Sequence, residues 1–408
     1  AAGMAEVLLY LAWLNRTEAA FALPPSYGYL ECADVVNLTT PEGVMPILLT
    51  AINYTSDNRL ECKGRPDRPA MYQPVALGVS SAVTGPVTIS QIGPSTLLLL
   101  DLPRLTSAQD SGSLLVAMCG SNDVWPGGAL LRSIDGASYD QPLEVYPPGA
   151  TIGYTGTALG VVDNRVVDTS SQLSVTLQSG TLESISRALM FAGENHFAYG
   201  EDGRWEIIAA SHCTLISGND YVLTDLLRGV AGTEWAMGLH VDGDRLVALN
   251  TDDLASLPME TAALNQARLY RAVTFGLDVS TGILRTQTWR GVQFKPLSPC
   301  SLTGDRDTAT GDWLLYWVRR TRMGSAWNDY VDAQLGESVE SYWVEIYQDW
   351  TYAVVLRTIV SSSTFAAYTS AQQVADFGGN QTTLYLRIYQ YSTTVGTGYS
   401  LTTEITRP

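Results

Sequence analysis

Hydrophobic residues near the N-terminus recur at the three-and-four spacing of one helix face, and this pattern ends at Pro24 and Pro25. Polar residues from Asn15 to Glu18 interrupt the apolar run well short of a membrane span, and no basic region precedes it. The segment therefore predicts an amphipathic helix docked on a domain rather than a signal or an anchor. Its apolar face comprises Met4, Val7, Leu8, Leu11 and Leu14.

The hydrophobic period changes to two after this helix and stays near two for most of the chain. Three β-runs, "ECADVVNLTT", "GVMPILLTAINYT" and "NRLECKGR", are separated by turn residues and end near Pro74. Together with the helix, they predict a first segment at residues 1–75 that is built as a small β-barrel.

Two further sets of strands follow, with helical spacing only in short connectors. Near-continuous apolar runs such as "STLLLLDLP" and "GSLLVAMCGS" predict a β-domain at residues 76–160. The runs "SQLSVTLQSG", "NHFAYGEDGRWEIIAAS" and "NDYVLTDLL" predict a second sandwich-like β-domain at residues 161–260. Residues 261–300 are expected to form a linker. The pattern as a whole predicts a mainly β, multi-domain protein.

The last hundred residues show a regular alternation. In "TLYLRIYQ", Leu384, Leu386 and Ile388 share one strand face, while tyrosine and arginine occupy the other. Five such strands with turn signals between them are typical of an immunoglobulin-like or fibronectin type III sandwich. We therefore predict a fibronectin type III-like domain at residues 301–408.

Composition restricts the partners of this chain. It has 41 acidic and 24 basic residues, which give a formal net charge of −17, and Lys63 and Lys295 are its only lysines. Nucleic acids and anionic membranes are bound mainly through lysine and arginine contacts to phosphate. We therefore expect no stable nucleic-acid binding and no membrane insertion.

The cysteines support neither a disulfide framework nor a zinc site, because they are odd in number, scattered and never spaced as C-x-x-C. Buried free thiols are the expected state. The five residues are Cys32, Cys62, Cys119, Cys213 and Cys300.

Nucleophilic catalysis needs a serine or cysteine beside a histidine that a carboxylate orients. The chain has three histidines, His196, His212 and His240, and no G-x-S-x-G elbow. His212 precedes Cys213, but adjacent residues of a strand point to opposite faces. We interpret the histidines as strand-end or turn residues, and we expect no catalytic residue and no cofactor.

Acidic residues raise two other hypotheses, a calcium loop and a glycoside hydrolase pair. The stretch "GDRDTATGDW", with Asp305, Asp307 and Asp312, comes nearest to a calcium loop, but its glycine, fifth and twelfth positions depart from the pattern. A solvated turn is the better interpretation, and we expect no metal. The sequence gives no reason to choose a hydrolytic carboxylate pair, because most acidic residues lie beside glycine, where they commonly form turns.

Aromatic residues concentrate in the predicted sandwich, where five of the ten tryptophans lie between residues 313 and 350. Core packing is expected to account for most of them, including Trp313 and Trp317, since one sheet face must be buried. An exposed subset is the candidate surface for a glycan or a protein partner. That subset comprises Trp327, Trp343, Trp350, Tyr385 and Tyr389.

The stretch "LLRGVAGTEWAMGLHVDGDRLVALN" at residues 226–250 combines glycine turns, a carboxylate and a histidine. A phosphate-binding loop would close its glycines with lysine and a hydroxyl residue, and "RGVAGTE" has no lysine. We interpret the stretch as a structural corner. Gly229 and Gly232 would supply positive φ where the chain reverses, and Asp242 and Gly243 would form a two-residue hairpin turn.

This stretch and the preceding "GRWEIIAASHCTLISGNDYVLTD" resemble the β-domain of the large "megatron" baseplate hub proteins of bacterial gene transfer agents, which are relatives of phage tail-tip host-specificity proteins. The C-terminal "WVRRTRMGSAWNDYVDAQLGESVESYWVEI" resembles the fibronectin-like module that closes those proteins. At "ECADVVNL" this chain has Ala33 where that family carries glycine. The residues that match the family's run are Leu226, Leu227, Arg228, Gly229, Gly232, Thr233, Glu234, His240, Gly243 and Asp244.

The resemblance implies a structural protein of a phage or phage-like tail tip, located in the virion after assembly in the bacterial cytoplasm. Residues 1–75 would then be a hub segment, and the chain would form a homotrimer around the tail axis with other baseplate proteins and a contact to a host cell-surface glycan. Family members are longer and carry an upstream hydrolase-like barrel, so this chain is expected to be the C-terminal portion of a larger polypeptide. Two alternatives stay open, a carbohydrate-binding receptor module and a cell-wall glycoside hydrolase.

Overall fold

The computed structural model describes residues 8–9, 11–41, 43–68, 91–122, 124–140, 142–250, 252–323 and 333–407. Within these ranges the chain is mainly β and forms several sheets and one closed barrel, which confirms the predicted fold class. The chain divides into two compact units, Ala1–Ile89 and Ser90–Pro408. In the described ranges, no helix has the length and apolar character that a bilayer crossing requires.

The N-terminal unit begins with helical residues 8–9 and 11–14, while Met4 and Val7 lie outside the described residues. The segment predicted as a small barrel is an antiparallel four-stranded sheet, whose core contains Leu49, Leu60 and Cys62. The difference arises because its two outer strands pair with inner strands and not with each other. In sheet order the strands are β1 (Ala19–Leu23), β4 (Leu60–Pro66), β3 (Gly43–Tyr54) and β2 (Val35–Thr40).

The second unit begins with two packed sheets, one of three and one of four strands. Residues 261–300, expected to be a linker, contribute two paired strands to the four-stranded sheet, because Tyr270 and Ala272 belong to its buried core. The three-stranded sheet consists of β15 (Ala255–Pro258), β6 (Ser113–Gly120) and β5 (Ser95–Leu100), and the four-stranded sheet of β17 (Leu284–Thr288), β16 (Ala267–Thr274), β7 (Gly128–Ser133) and β8 (Leu143–Val145).

Strand β6 is buried on both faces, which explains its near-continuous apolar sequence. Val116 and Met118 pack in the core that the two sheets share. Ala117 and Cys119 face the other way and pack with Ile207 of the neighbouring barrel. The three-stranded sheet is therefore the middle layer between the four-stranded sheet and the barrel.

Six antiparallel strands close into this barrel around a core that includes Phe197 and Leu223. The barrel starts at Ile152, whereas the expected boundary between the two middle domains lay at residue 160. Around the barrel the strands are β10 (Leu173–Ser179), β13 (Asp220–Val230), β12 (Glu206–Ser217), β11 (His196–Gly200), β14 (Arg245–Ala248) and β9 (Ile152–Thr155).

The C-terminal region is a sandwich of two antiparallel sheets. Trp313, Leu315 and Trp317 are buried in its core, as predicted, and Leu384 and Leu386 reach the same core from the other sheet. One sheet consists of β18 (Cys300–Arg306), β19 (Trp313–Val318) and β22 (Phe365–Tyr368), and the other of β21 (Val355–Ser361), β20 (Tyr342–Tyr347), β23 (Thr383–Ser392) and β24 (Gly396–Thr406).

Short helical segments connect these strands. The helix Ser370–Phe377 begins at Thr369, whose hydroxyl accepts a hydrogen bond from the Gln372 amide and so caps the first turn. The helix Arg187–Phe191 is capped in the same way by Ser186. Turns of 3₁₀ type lie at Pro25–Tyr27, Ser107–Gln109, Glu234–Ala236, Thr261–Ala263, Val279–Thr281 and Val292–Phe294.

Candidate functional site

The family-like run at residues 226–250 lies at one rim of the barrel and contributes to a buried polar cluster. Arg228 on β13 donates from Nε to Glu206 Oε1 at 2.7 Å and from Nη2 to Glu206 Oε2 at 2.8 Å. The amide of Gly229 also donates to Glu206 Oε1, at 2.9 Å. Neither the Arg228 nor the Glu206 side chain is exposed. The start of β12 and the end of β13 are therefore joined through one carboxylate.

His240 extends the cluster across the rim. Its Nε2 lies 2.8 Å from Glu206 Oε2, and its Nδ1 lies 3.3 Å from Asp244 Oδ2. The imidazole stacks on Tyr199, with ring centroids 3.8 Å apart. Asp244 is also paired with both terminal nitrogens of the Arg204 guanidinium. Basic and acidic side chains thus alternate through the cluster.

The carboxylates of this cluster are held in their charged form. Burial raises the pKa of Glu206, but the hydrogen bonds from His240 and Arg228 outweigh it, and the pKa lies below its ordinary value. Burial also raises the pKa of Asp244, but the hydrogen bonds from Arg204 and the Val241 amide outweigh burial and lower this pKa below its ordinary value. Each buried charge has close partners, which is the condition under which buried ions are tolerated.

The glycines of the run occupy backbone conformations that other residues rarely adopt. Gly229 has φ 63° and Gly232 has φ 81°. A Cβ at Gly229 would lie 2.6 Å from Met237 Cε, and one at Gly232 would lie 2.4 Å from Leu297 Cδ2. These positions need glycine both for their φ and for the close packing around them.

The turn at Asp242 and Gly243 differs from the predicted two-residue hairpin. The strand that follows it, β14, pairs with β11 and β9 and not with β13. The Gly243 amide donates to Thr155 O at 2.7 Å, and this bond attaches the turn to the end of β9. The intervening 3₁₀ turn Glu234–Ala236 separates β13 from β14, so the corner spans the barrel rim.

The outward side of the same run contacts the C-terminal sandwich. The Glu234 carboxylate is paired with the Arg320 guanidinium and accepts a hydrogen bond from Ser298 Oγ at 3.3 Å. Trp235 stacks on Tyr399 of β24, with ring centroids 5.1 Å apart. The run therefore closes the barrel on its inner side and holds the sandwich on its outer side.

His212 lies beside a serine and a carboxylate, but the three side chains do not form a catalytic triad. His212 Nδ1 lies 2.8 Å from Ser211 Oγ and 3.4 Å from Asp225 Oδ2. A triad uses different ring nitrogens for the hydroxyl and for the carboxylate. Ser211 is fully buried, and Asp225 is paired with Arg187. The geometry is that of a polar strand surface.

The cysteines are free, and they differ in burial. Cys62, Cys119 and Cys213 are buried, as expected, whereas Cys32 is exposed and Cys300 is partly buried. Cys32 lies in the turn before β2, where the alternating pattern that buries the other thiols does not apply. Burial raises the pKa of Cys119 and of Cys213 to about 11, so both are protonated and unreactive at neutral pH.

The acidic stretch considered for calcium forms a hydrogen-bonded turn. Asp307 Oδ1 accepts the amides of Ala309 and Thr310, at 2.8 and 3.3 Å, and Asp312 Oδ1 accepts the amide of Ser370 at 2.6 Å. Asp305 is exposed. Across the described part of the chain, no group of three or more His, Cys, Asp or Glu side chains is arranged to hold a metal ion.

Three of the five predicted contact aromatics share the outer face of one sandwich sheet. Trp343 on β20 lies opposite Tyr389 on β23, and Tyr385 lies four residues earlier on the same strand. Trp350 is 72% exposed at the following turn, and Trp327 lies outside the described residues. The structure thus assembles an aromatic surface from residues that are far apart in the sequence.

Sequence reasoning missed Glu206, Arg204 and Tyr199, which complete the rim cluster. The available signal was a carboxylate at the start of the apolar run "WEIIAAS", since an acidic residue seldom occupies a buried strand unless it is paired. Its partners lie 22 and 34 residues later in the chain.

Comparison with known families gives two matches, each to a part of the chain. Residues 1–52 match a family described as "Putative phage tail protein". Residues 150–247 match a family described as "Rcc01698-like, C-terminal", and these bounds coincide closely with the closed barrel β9–β14. No curated protein matches the chain. The chain is therefore similar to phage tail proteins at its N-terminus, which supports a structural role in a phage tail.

Proposed function

We propose that this chain is a structural component of a phage or phage-like tail tip, in which its N-terminal segment belongs to the baseplate hub. The match of residues 1–52 to a phage tail family carries the proposal. The match at the barrel agrees with a protein of the gene-transfer-agent type. In the rim cluster, the Arg228, His240 and Arg204 side chains each contact a carboxylate, which supports a structural role for this part of the barrel.

Labelling of intact particles tests the location. Antibodies raised against the purified chain should bind at the free end of the tail in electron micrographs of particles from the producing strain. Labelling along the capsid, or only of soluble protein, would overturn the assignment to the tail tip.

The N-terminal helical residues support contact with a partner, and we propose that the partners are two further copies of the chain, arranged as a homotrimer around the tail axis. Leu8, Leu9 and Trp13 are 59%, 74% and 64% exposed, and adjacent apolar side chains of this kind usually meet a partner. Light scattering of the full chain should give three times the monomer mass, and Trp13→Glu should lower it. Tyr29→Glu, at another exposed aromatic of the same unit, is the control and should leave the mass unchanged. A monomeric wild-type chain would contradict the trimer.

The outer aromatic face of the sandwich supports a second role, contact with a host cell-surface glycan. Trp343, Tyr385 and Tyr389 are only partly buried, and amphipathic rings on an open sheet face can stack on sugars. A glycan array probed with the full chain should show binding that Trp343→Ala and Tyr385→Ala both weaken. If neither substitution changes glycan binding, these rings pack the sandwich and do not bind the glycan.

A cell-wall glycoside hydrolase is the remaining alternative. Such an enzyme would use a pair of carboxylic acids, and the rim-cluster carboxylates Glu206 and Asp244 are already engaged by Arg228, His240 and Arg204. Incubation of the purified chain with peptidoglycan should release no soluble fragments. Release that a single Asp or Glu substitution abolishes would establish an enzyme instead.

A further inference from the structure

A cavity of about 770 Å³ opens within the second unit, between the barrel, the segment before β18, and the C-terminal sandwich. It lies on the outer side of the rim run and is separate from the buried ion cluster. Its wall includes the β11–β12 turn and one edge of β24. Charged and aromatic side chains in this wall include Asp101, Asp202, Arg290, Lys295, Trp235 and Tyr399.

Lys295 is the unusual member of this wall, since it is one of only two lysines in the chain. Its ammonium lies 4.1 Å from the centroid of the Tyr399 ring, and within the described residues no carboxylate lies within 4.0 Å of it. Burial lowers the pKa of Lys295. A half-buried ammonium without a counter-charge is costly, so an anionic group that enters the cavity would be stabilised there.

The rest of the wall offers hydrogen-bond acceptors. Asp101 accepts the amides of Arg290 and Val292, at 2.7 and 2.9 Å. Asp202 accepts from Gln287 Nε2 at 2.9 Å and is paired with the Arg290 guanidinium at 3.3 Å. A carboxylate has about four acceptor sites, so both groups keep lone pairs for ligand hydroxyls. These contacts also hold the two carboxylates in place in the absence of a ligand.

Aromatic rings form the apolar part of the wall. Trp235 and Tyr399 stack on each other where the barrel meets the sandwich. Trp205 also lines the cavity, and its indole N–H has no hydrogen-bond partner in the described part of the chain. Rings of this kind contact the C–H faces of sugars, and an unpaired indole N–H can donate to a hydroxyl or carboxylate.

We propose that this cleft binds an acidic sugar, with the sugar's carboxylate or phosphate group on Lys295 and its hydroxyls on Asp101 and Asp202. A neutral sugar lacks the charge that Lys295 needs, and a simple anion lacks the hydroxyls that the two carboxylates accept. The volume lies in the range of small-molecule sites, roughly 300–1,000 Å³. Recognition by these cleft residues does not depend on the role of the chain in a tail.

Calorimetry and ligand-detected NMR on the full chain test the site with four probes, glucuronate, glucose 6-phosphate, glucose and inorganic phosphate. We expect at least one acidic sugar to bind at least about tenfold more tightly than glucose and than inorganic phosphate. Binding of glucuronate alone would identify a sugar carboxylate as the ligand group, and binding of glucose 6-phosphate alone would identify a sugar phosphate. No binding of either acidic sugar, or equal binding of glucose, would overturn the proposal.

Substitution of the two lysines supplies the matched control. Lys295→Met should weaken the acidic sugar by at least about tenfold, whereas Lys63→Met makes the same change on β4 of the first unit and should have no effect. Lys295→Arg retains a cation and should retain most of the affinity, which separates loss of charge from loss of fold. An equal effect of Lys63→Met and Lys295→Met, or unchanged binding in Lys295→Met, would exclude this cleft.

Discussion

Arg228 and Glu206 face each other across the β12–β13 pair through two parallel hydrogen bonds, and neither side chain reaches solvent. An intact buried ion pair contributes little net stability, because the cost of removing both charges from water offsets their mutual attraction. Removal of one partner is different, because the other charge then stays buried without compensation. Loss of either partner alone should therefore destabilise the closed barrel.

Glu206→Gln should destabilise the protein strongly, by about 3–5 kcal/mol, because it leaves Arg228 buried without its carboxylate. Glutamine has nearly the same shape as glutamate, so the loss of stability would come from the missing charge and not from altered packing. The free energy of unfolding from urea titration is the measurement. Asp163→Asn removes one partner of the exposed Arg165–Asp163 pair and should leave the urea midpoint unchanged. Similar midpoints for both variants would contradict the role of the buried pair.

Acid should unfold the barrel through the same cluster. Glu206 and Asp244 have folded pKa values below their ordinary ones, and so has Asp168, whose Oδ2 lies 4.0 Å from Arg228 Nη1. The unfolded chain therefore binds their protons first, and the stability they contribute is fully present above an unfolded pKa of about 4 and is lost as pH falls through the folded values. Urea midpoints should decline steeply below about pH 4 and less steeply in Glu206→Gln. A wild-type profile as shallow as that of the variant would contradict this.

Asp101 should have the opposite effect on the pH dependence of stability, because its contribution is lost as pH rises. Burial raises its pKa to about 6, and the backbone hydrogen bonds from Val292 and Arg290 only partly oppose the shift. Its contribution to stability is therefore fully present below the unfolded pKa and is lost as pH rises through about 6. Carboxyl carbon NMR should show one aspartate that titrates near pH 6 and is missing in Asp101→Asn. A titration midpoint below pH 4 would exclude the shift.

Ala33→Gly should stabilise the N-terminal sheet. Ala33 has φ 82°, in the left-handed region where a side chain costs about 1–2 kcal/mol, and its amide donates to Leu49 O at 2.9 Å. Glycine's greater freedom in the unfolded chain offsets part of this, so the expected gain is up to about 1 kcal/mol. Hydrogen exchange of β2 and β3 amides measures it. Ala22→Gly is the control, because it places glycine at an exposed position of a regular strand, β1, where glycine is unfavourable. This substitution should not slow amide exchange.

Glu234 and Arg320 should show energetic coupling between the barrel and the sandwich. Their charged groups are paired and largely shielded from solvent. A double-mutant cycle of Glu234→Gln and Arg320→Gln should give a coupling of about 0.5–3 kcal/mol, as contacting residues do. A cycle at Asp163 and Arg165, an exposed pair within one loop, should be additive. Additivity at Glu234 and Arg320 as well would mean that the ion pair does not hold the sandwich in place.

Duplex DNA should not bind to this chain. The net charge of −17 leaves few cations to displace phosphate counterions. Fluorescence anisotropy of a labelled duplex at physiological salt should stay constant up to micromolar protein. A saturable rise in that range would contradict the electrostatic argument.

The alternating pattern of the sequence determined which faces of the strands are buried. Leu384, Leu386 and Ile388 are buried and Tyr385 and Tyr389 are half-buried, in agreement with the sequence reading. The sequence also predicted the positive φ of Gly229. These properties depend on residues within a few positions, because side-chain direction and backbone freedom are local.

Pairing between distant strands was decided only by the tertiary structure. Residues 261–300, predicted to be a linker, contain β16 and β17. Strand β16 pairs with β7, which lies more than a hundred residues earlier in the chain. Glu206 acquired its partners, Arg228 and His240, through closure of the barrel, and Asp101 acquired the amide of Arg290 across 189 residues. Many long-range pairings are compatible with one alternating pattern, and the buried charges select among them, since each must find its counter-charge before it can leave water.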